Sequence, residues 1–332
     1  MSTFGKVLVT GGAGFIGSHL VDRLVSERCE VTVLDDFSRG SLNNLEESIP
    51  SRFLRIVKGS VNDKEIVRDV LEDVQVVFHL ASVGSLERLV TSSYLNSVNV
   101  NGTINLLECS AKKGVERFVF SSTAEVYGNS KTLPMTESNE LMPTSPGGWS
   151  KLLGERACFE AGTSTGLKTT VLRYFNVYGP RSQTHPSVGV INEFAQRFLG
   201  MESPIIYGKG SHARDFVHVQ DVVSANILAA SRNNSGGRVY NVGSGEHISI
   251  ETLAELESRI LLGDNVIIPL DYKLARQIDI PNVYGDISLI NKELGFVPKY
   301  SIEHGLEEYL VWLRNFLAIE IERPLPIRRS SG

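Results

Sequence analysis

Cysteine is scarce in this chain, with three among 332 residues. Cys29, Cys109 and Cys158 are scattered, odd in number and without metal-ligand spacing. That excludes a disulfide framework and a zinc site, and leaves buried free thiols in a reducing cytoplasm as the expectation. The seven histidines are equally dispersed, so no metal is expected. Long apolar runs are missing too: none approaches the roughly 20 residues that a membrane span needs. Nor does positive charge dominate. Lys and Arg total 33 against 38 Asp and Glu, a net charge of −5 with no basic run. A nucleic acid or an anionic membrane surface is therefore not expected as the main partner. The first apolar strand begins within a few residues of Met1, which leaves no room for a signal peptide. There is no internal repeat. A chain of this length can bury a large core, as two domains or one large α/β unit.

What is present is concentrated at the start. Lys6-Val-Leu-Val-Thr10 is an apolar, β-branched run that reads as a strand. Gly11, Gly14 and Gly17 punctuate the turn after it, and Phe15–Val25 carries an amphipathic helix pattern. A second strand, Glu30–Leu34, ends in Asp35. Each part answers a chemical need. Gly11 permits the tight turn, Gly14 lets backbone N–H groups approach a pyrophosphate, and Gly17 lets helix and strand pack closely. Phe15 and Ile16 open the helix, whose orphan N–H groups and positive dipole end favour an anion. The Asp35 carboxylate accepts hydrogen bonds from ribose hydroxyls and repels a 2′-phosphate, so the dinucleotide reads as NAD rather than NADP. Asp36 and Ser38 extend these contacts.

Strand and helix patterns then alternate. Strands are expected at Phe53–Lys58, Val74–Leu80, Val115–Ser121 and Lys168–Arg173, with helices between them. Alternation of this kind implies a doubly wound parallel α/β sheet of Rossmann type, with ligands beyond the carboxyl ends of the strands. Asp35, Val61, Ala81, Thr123 and Asn176 all fall at such ends. Past residue 176 the pattern is irregular, although a helix at Asp221–Ser231 and a strand at Arg238–Val242 read as a return to the sheet.

A second constellation, Ser121-Ser-Thr123-Ala-Glu125-Val-Tyr127-Gly128, follows a strand, and Lys151 lies near the opening of a later helix. With TGGAGFIG at 10–17, HLA at 79–81, NVNGT at 99–103, SK at 150–151, RYFNVYGPR at 173–181, RDFVHVQDV at 214–222 and NVGSG at 241–245, the chain resembles the extended short-chain dehydrogenase/reductases that act on nucleotide sugars. It is most similar to the UDP-glucose/UDP-galactose 4-epimerase type. The resemblance covers about residues 5–315. It implies an NAD-binding Rossmann domain over 1–176 with a return of about 215–245, a smaller nucleotide-sugar-binding domain over 177–320, and a loose tail over 321–332. It implies NAD contacts from Leu80, Ala81, Val61, Ser121 and Lys151, UDP-sugar contacts from Thr123, Asn176, Arg214 and Arg276, and a cytoplasmic homodimer paired through the helical stretches Tyr94–Lys112 and Ser150–Ala161.

One departure stands out. The family places a tyrosine one helical turn before the lysine, so that phenol and ammonium share a helix face. Here that position is Gly147, in Ser145-Pro-Gly-Gly-Trp-Ser-Lys151. Glycine has no proton to exchange, and general acid–base groups typically contribute ~10²–10⁴-fold in rate. Three explanations stay open: a natural variant using Thr123, Glu125 or water; a substitution that traps substrate; or a protein that binds without turnover. In related decarboxylases and 4,6-dehydratases a glutamate stands where Glu125 does. Ala124 precedes it in place of the dehydratases' aspartate, and the segment Asp279–Asp286 lacks the arginines a decarboxylase expects. The expected reaction is NAD-dependent 4-epimerisation of a UDP-hexose through a 4-keto intermediate. Decarboxylation, dehydration and binding without turnover are the alternatives.

Overall fold

The computed structural model describes residues 4–84, 91–182, 189–275 and 280–322. Its centre is a seven-stranded parallel sheet built from β1 (Lys6–Thr10), β2 (Glu30–Asp35), β3 (Leu54–Lys58), β4 (Val76–His79), β5 (Arg117–Thr123), β6 (Lys168–Tyr174) and the later strand Arg238–Val242. The spatial order is β3-β2-β1-β4-β5-β6 and then Arg238–Val242. Direction reverses between β1 and β4, and in an open parallel sheet that switch point opens the ligand crevice. The register sets Val7 between Val31 and Val76, so Thr10 and His79 end side by side at the crevice.

Side-chain alternation divides the core. Val7 and Val9 of β1 face one way, against Leu20, Val21 and Leu24 of helix α1 (Phe15–Ser26). Leu8 faces the other way, with Val67 and Val70 of α2 (Lys64–Val70) and Leu106 and Leu107 of α4 (Thr103–Lys112). Burial on both faces explains why these strands read as continuous apolar runs rather than alternating ones. Between α2 and α4 lies the short α3 (Ser92–Asn96), joined to α4 by a wide π turn at Ser97–Gly102. The backbone stays right-handed helical through Asn96, Ser97, Gly102 and Thr103, so the Tyr94–Lys112 stretch is helical throughout, with the π turn inside it.

Helix α5 (Pro146–Thr165) starts earlier than the sequence pattern indicates. Ser145 is its N-cap, accepting from the Gly148 N–H at 3.0 Å, and Pro146 takes the first position, where its missing N–H costs nothing. Lys151 thus sits more than one turn inside the helix. At its other end Gly166 adopts a left-handed conformation that stops it.

After β6 come β7 (Asn176–Tyr178), α6 (Val190–Leu199), β8 (Ile205–Tyr207), β9 (Ala213–Arg214), β10 (Phe216–His218), α7 (Val219–Ser231), β11 (Arg238–Val242), β12 (Ile248–Ser249), α8 (Ile250–Leu262), β13 (Asp271–Lys273), β14 (Asn282–Val283), α9 (Ser288–Leu294) and α10 (Ile302–Glu322). Strand β11 pairs with β6 at the sheet's edge, and α7 packs on α1. Helix α9 packs on β11 and sets Ile290 and Leu294 in the sheet's core, while most of the other elements form a smaller α/β assembly with its own core, where Phe194 and Phe198 of α6 meet Leu253 and Leu256 of α8 and Leu306, Leu310 and Leu313 of α10. Helix α10 runs through Glu322, two residues into the stretch expected as a loose tail, and residues 323–332 lie outside the described residues. Among the described residues no helix is long and apolar enough to cross a membrane.

Candidate active site

A cavity of about 920 Å³ runs from the glycine turn, across the ends of β1, β4 and β5, to the smaller assembly. At one end Gly11, Gly14, Phe15, Ile16 and Gly17 line it, with Asp35, Asp36 and Ser38 beside them. Gly11 has φ +68°, and a Cβ there would lie 2.7 Å from the Ala81 nitrogen. A Cβ at Gly17 would lie 2.2 Å from the Gly11 carbonyl oxygen. Backbone-to-backbone contact this close leaves room for no side chain. The turn therefore holds bare N–H groups at the mouth of α1, the cradle a pyrophosphate requires.

Asp35 is buried, with its oxygens accepting from the Ala13 N–H and the Phe37 N–H, each at 2.9 Å. Burial raises its pKa above the ordinary carboxylate value, against the lowering effect of those two hydrogen bonds. Asp36 is spent locally: its carboxylate accepts from the Ser38 N–H and hydroxyl. Val61 lines the same end and is fixed through its carbonyl, which accepts from Asn105 Nδ2 at 2.7 Å. Asp63, two residues on, caps α2 by accepting from the Glu65 and Ile66 N–H groups.

Midway, Leu80, Ala81, Ser121, Thr123 and Lys151 line the wall. His79 pins the strand ends, with Nδ1 2.7 Å from Thr10 Oγ1 and Nε2 2.8 Å from Thr103 Oγ1. Burial pushes its pKa down to about 3, so the ring stays neutral. Ser121 Oγ donates to the His79 carbonyl at 2.9 Å. Asn99 exchanges two hydrogen bonds with the Val83 backbone and donates to Ser150 Oγ, tying the β4 loop to α5. These bracing roles of His79, Asn99 and Asn105 were missed in the sequence, where the first two counted only as parts of matched motifs and Asn105 was not singled out. Their signal is a polar side chain at a position whose spacing belongs to the core.

Lys151 reaches from α5 to the end of β5, where Nζ donates to the Ser121 carbonyl at 2.8 Å and stands 5.1 Å from the centre of the Phe120 ring. Burial drops its pKa to about 8. Thr123 closes β5, and its Oγ1 accepts from the Glu125 N–H at 3.2 Å, which leaves the hydroxyl proton to give elsewhere. Gly147 is buried in the first turn of α5, its carbonyl accepting from Ser150 Oγ. Glu125 is exposed and does not line the cavity; its carboxylate accepts from the Ser145 hydroxyl.

Neither of the tyrosines nearest to Gly147 in sequence fills the gap. Tyr127 Oη donates to Asn241 at 2.6 Å and accepts from Arg173 at 3.0 Å, with burial raising its pKa to about 12. Tyr174 Oη is shared with Asn226, and burial raises its pKa as well. Behind them Arg173 and Glu155 form a buried ion pair at 2.7 Å that also takes the Ser122 hydroxyl.

At the far end Asn176 and Arg214 line the cavity. Asn176 Nδ2 donates to the Asp215 carbonyl at 3.0 Å. The Arg214 guanidinium donates to the carbonyls of Ala213, Pro281 and Ile280. Asp215 instead accepts from the Ser244 N–H and hydroxyl at 2.7 and 2.8 Å, with burial raising its pKa to about 6. His218 caps α7, and Asp221 accepts from the Lys299 and Tyr300 N–H groups, so both brace the crossing between the sheet and the smaller assembly. Arg276 lies outside the described residues.

Residues 7–243 match the model of the NAD dependent epimerase/dehydratase family. The UDP-glucose 4-epimerase of Azospirillum brasilense is 32% identical over 330 residues, covering 93% of this chain and 92% of that protein. The UDP-N-acetyl-alpha-D-glucosaminuronate decarboxylase of Bacillus cytotoxicus is 34% identical over 319 residues, covering 93% and 98%. The crystal structure of UDP-glucose 4-epimerase from Thermotoga maritima, solved with UDP-glucose, superposes with a TM-score of 0.87 at 36% identity, covering 94% of this chain and 99% of that one.

Proposed function

Since this chain belongs to the NAD-dependent epimerase/dehydratase family, within the extended short-chain dehydrogenase/reductases, we propose that it is a 4-epimerase of a UDP-hexose of the UDP-glucose/UDP-galactose type. The observation that carries this reading is the continuity of one cavity from Asp35 and the glycine turn, past Thr123 and Lys151, to Asn176 and Arg214. A dinucleotide and a nucleotide sugar laid end to end need a site of that shape, with their reacting rings meeting in the middle.

In this assignment Gly11, Gly14, Phe15, Ile16 and Gly17 hold the pyrophosphate of NAD, and Asp35 with Asp36 and Ser38 hold the adenosine ribose side. Val61, Leu80, Ala81 and Ser121 flank the base and the nicotinamide end, and Lys151 serves the second ribose. NAD held by these residues would supply a reversible hydride acceptor for the sugar's C4. The protein orients the sugar: the Thr123 hydroxyl donates to the reacting 4-oxygen, and Asn176 and Arg214, with Arg276, anchor the diphosphate. A guanidinium suits that task because its planar fork matches phosphate oxygens. Anchoring by the nucleotide lets an uncharged 4-keto ring turn over without leaving, so binding energy spent on a remote group holds the intermediate.

The rival reactions have weaker support. Ala124 offers no acid for loss of a 6-hydroxyl, and Glu125 faces solvent on Ser145 rather than the cavity. The deciding experiment supplies UDP-glucose and UDP-galactose separately to purified, NAD-loaded protein and follows the products. Interconversion is expected; release of carbon dioxide from a UDP-glucuronate, a stable 4-keto-6-deoxy sugar, or binding without turnover would overturn the assignment.

A further inference from the structure

In the epimerase reading a proton must leave the 4-hydroxyl as hydrogen leaves C4, and the first turn of α5 offers no side chain to take it. The wall of the cavity near Thr123 contains one nitrogen base among the described residues, and it is placed oddly for a plain binding lysine. Lys151 comes off the second turn of α5 and lays its amine against the carboxyl end of β5, over the Phe120 ring, with the Ser121 carbonyl as acceptor. No carboxylate forms an ion pair with it among the described residues. The nearest acids are committed elsewhere, Glu155 to Arg173 and Glu125 to Ser145. We infer that Lys151 is itself the group that accepts the proton of the sugar 4-hydroxyl and returns it, in the place of the missing tyrosine. This rests on the epimerase reading of the previous subsection.

The electrostatics fit that task. The titratable groups near enough to act on the amine are Glu125 from the turn after β5, Glu155 from α5 itself and His79 from β4, with the Cys158 thiol one further turn along α5. Glu125 and Glu155 favour the ammonium, His79 and the buried Cys158 thiol stay neutral, and burial outweighs the two carboxylates, which brings the amine down to about 8. A positive nicotinamide ring bound alongside lowers it further. An uncharged amine is then available near neutrality, as a general base requires. The step balances: the O–H proton passes to the neutral amine, directly or through the Thr123 hydroxyl, making an ammonium. The C4 hydrogen leaves with its bonding pair to the oxidised cofactor, and the C–O bond becomes a carbonyl. On return the ammonium supplies the proton to the oxygen while hydrogen is delivered to the other face of C4.

Two measurements test this. The first is the ionisation of Lys151 in protein carrying 13C-labelled lysine, assigned by difference against Lys151→Arg and read without any turnover. A midpoint near pH 8 is expected, and an ordinary midpoint near 10.4 overturns the inference. The second is the rate of sugar interconversion against pH. It should fall roughly tenfold per pH unit below the lysine's midpoint. Lys151→Arg keeps the cation but cannot surrender a proton, and should lose ~10²–10⁴-fold in rate measured at saturating NAD. Glu125→Gln removes a charge that favours the ammonium, so it should move the acid limb to lower pH. Interconversion that survives Lys151→Arg, or an acid limb erased by Glu125→Gln, overturns the lysine's part alone. Wild-type protein that interconverts nothing overturns the epimerase reading and the lysine's part in it together.

Discussion

At Gly147 the helix begins with two glycines where propensity disfavours them, at a cost of about 1 kcal/mol each relative to alanine inside a helix. For Gly148 packing is the reason, since a Cβ there would lie 2.9 Å from the Glu125 carbonyl oxygen. Its neighbour carries the chemical question. If the site had simply lost its catalyst, Gly147→Tyr would restore a phenol beside an ammonium and raise kcat by ~10²–10⁴-fold. If Lys151 already exchanges the proton, a phenol adds a competitor rather than a missing part. The expected gain is then below about tenfold, with the acid limb of the pH profile moved rather than created. Steady-state kinetics on NAD-loaded Gly147→Tyr protein read both quantities in one series.

At the scale of elements, the strand–turn–helix opening was legible because each of its positions has a separate physical demand. Strand β1, the start of α1 and β2 with its terminal Asp35 fall where the pattern places them. Strands β4 and β5 each start two residues later than the pattern places them, since an apolar residue on a loop entering the core scores like a strand residue. The start of α5 was missed because Ser145-Pro146 reads as a loop, although a serine cap and a first-turn proline are start signals. Of the site, the cofactor end was readable from spacing alone. Arg214's carbonyl partners and Glu125's bond to Ser145 were not, because each depends on segments distant in sequence. Helix α8 hides the clearest such case. Glu257 occupies a buried position among Leu253, Leu256 and Leu310, and its carboxyl oxygens have no hydrogen-bond partner among the described residues. Burial raises its pKa well above the usual 4.5. The folded state therefore holds a proton that the unfolded state releases above about 4.5, and stability falls as pH rises past that value. Glu257→Met removes this penalty and keeps the volume. Its melting temperature should match or modestly exceed wild type near pH 4.5 and gain on it with rising pH. The advantage grows by about 1.4 kcal/mol per pH unit until the folded carboxyl itself ionises. Equal melting temperatures across that range would mean the carboxylate finds water or a partner.

For the whole molecule, the unexplained surface lies on α3, α4 and α5. Tyr94, Ile104, Trp149 and Leu153 are 45, 39, 52 and 49% exposed, on helices that pack side by side. Trp149 and Leu153 are one turn apart on α5, while Lys151 from the same helix lines the cavity. Large exposed side chains on adjacent helices are what an association surface needs, and we propose that two antiparallel copies of the α4–α5 pair bury them as a four-helix bundle about a twofold axis. We expect wild-type protein to run as a dimer in light scattering at micromolar concentration, and Leu153→Glu to run as a monomer, because the twofold axis would set two carboxylates against the same apolar face. Leu153 does not line the cavity, so the variant should keep its NAD. It should also keep the Lys151 ionisation midpoint unless pairing the helices holds α5 against β5. A monomeric wild type would remove the dimer. A dimer whose disruption moves that midpoint would instead make the second copy part of what keeps the amine dry.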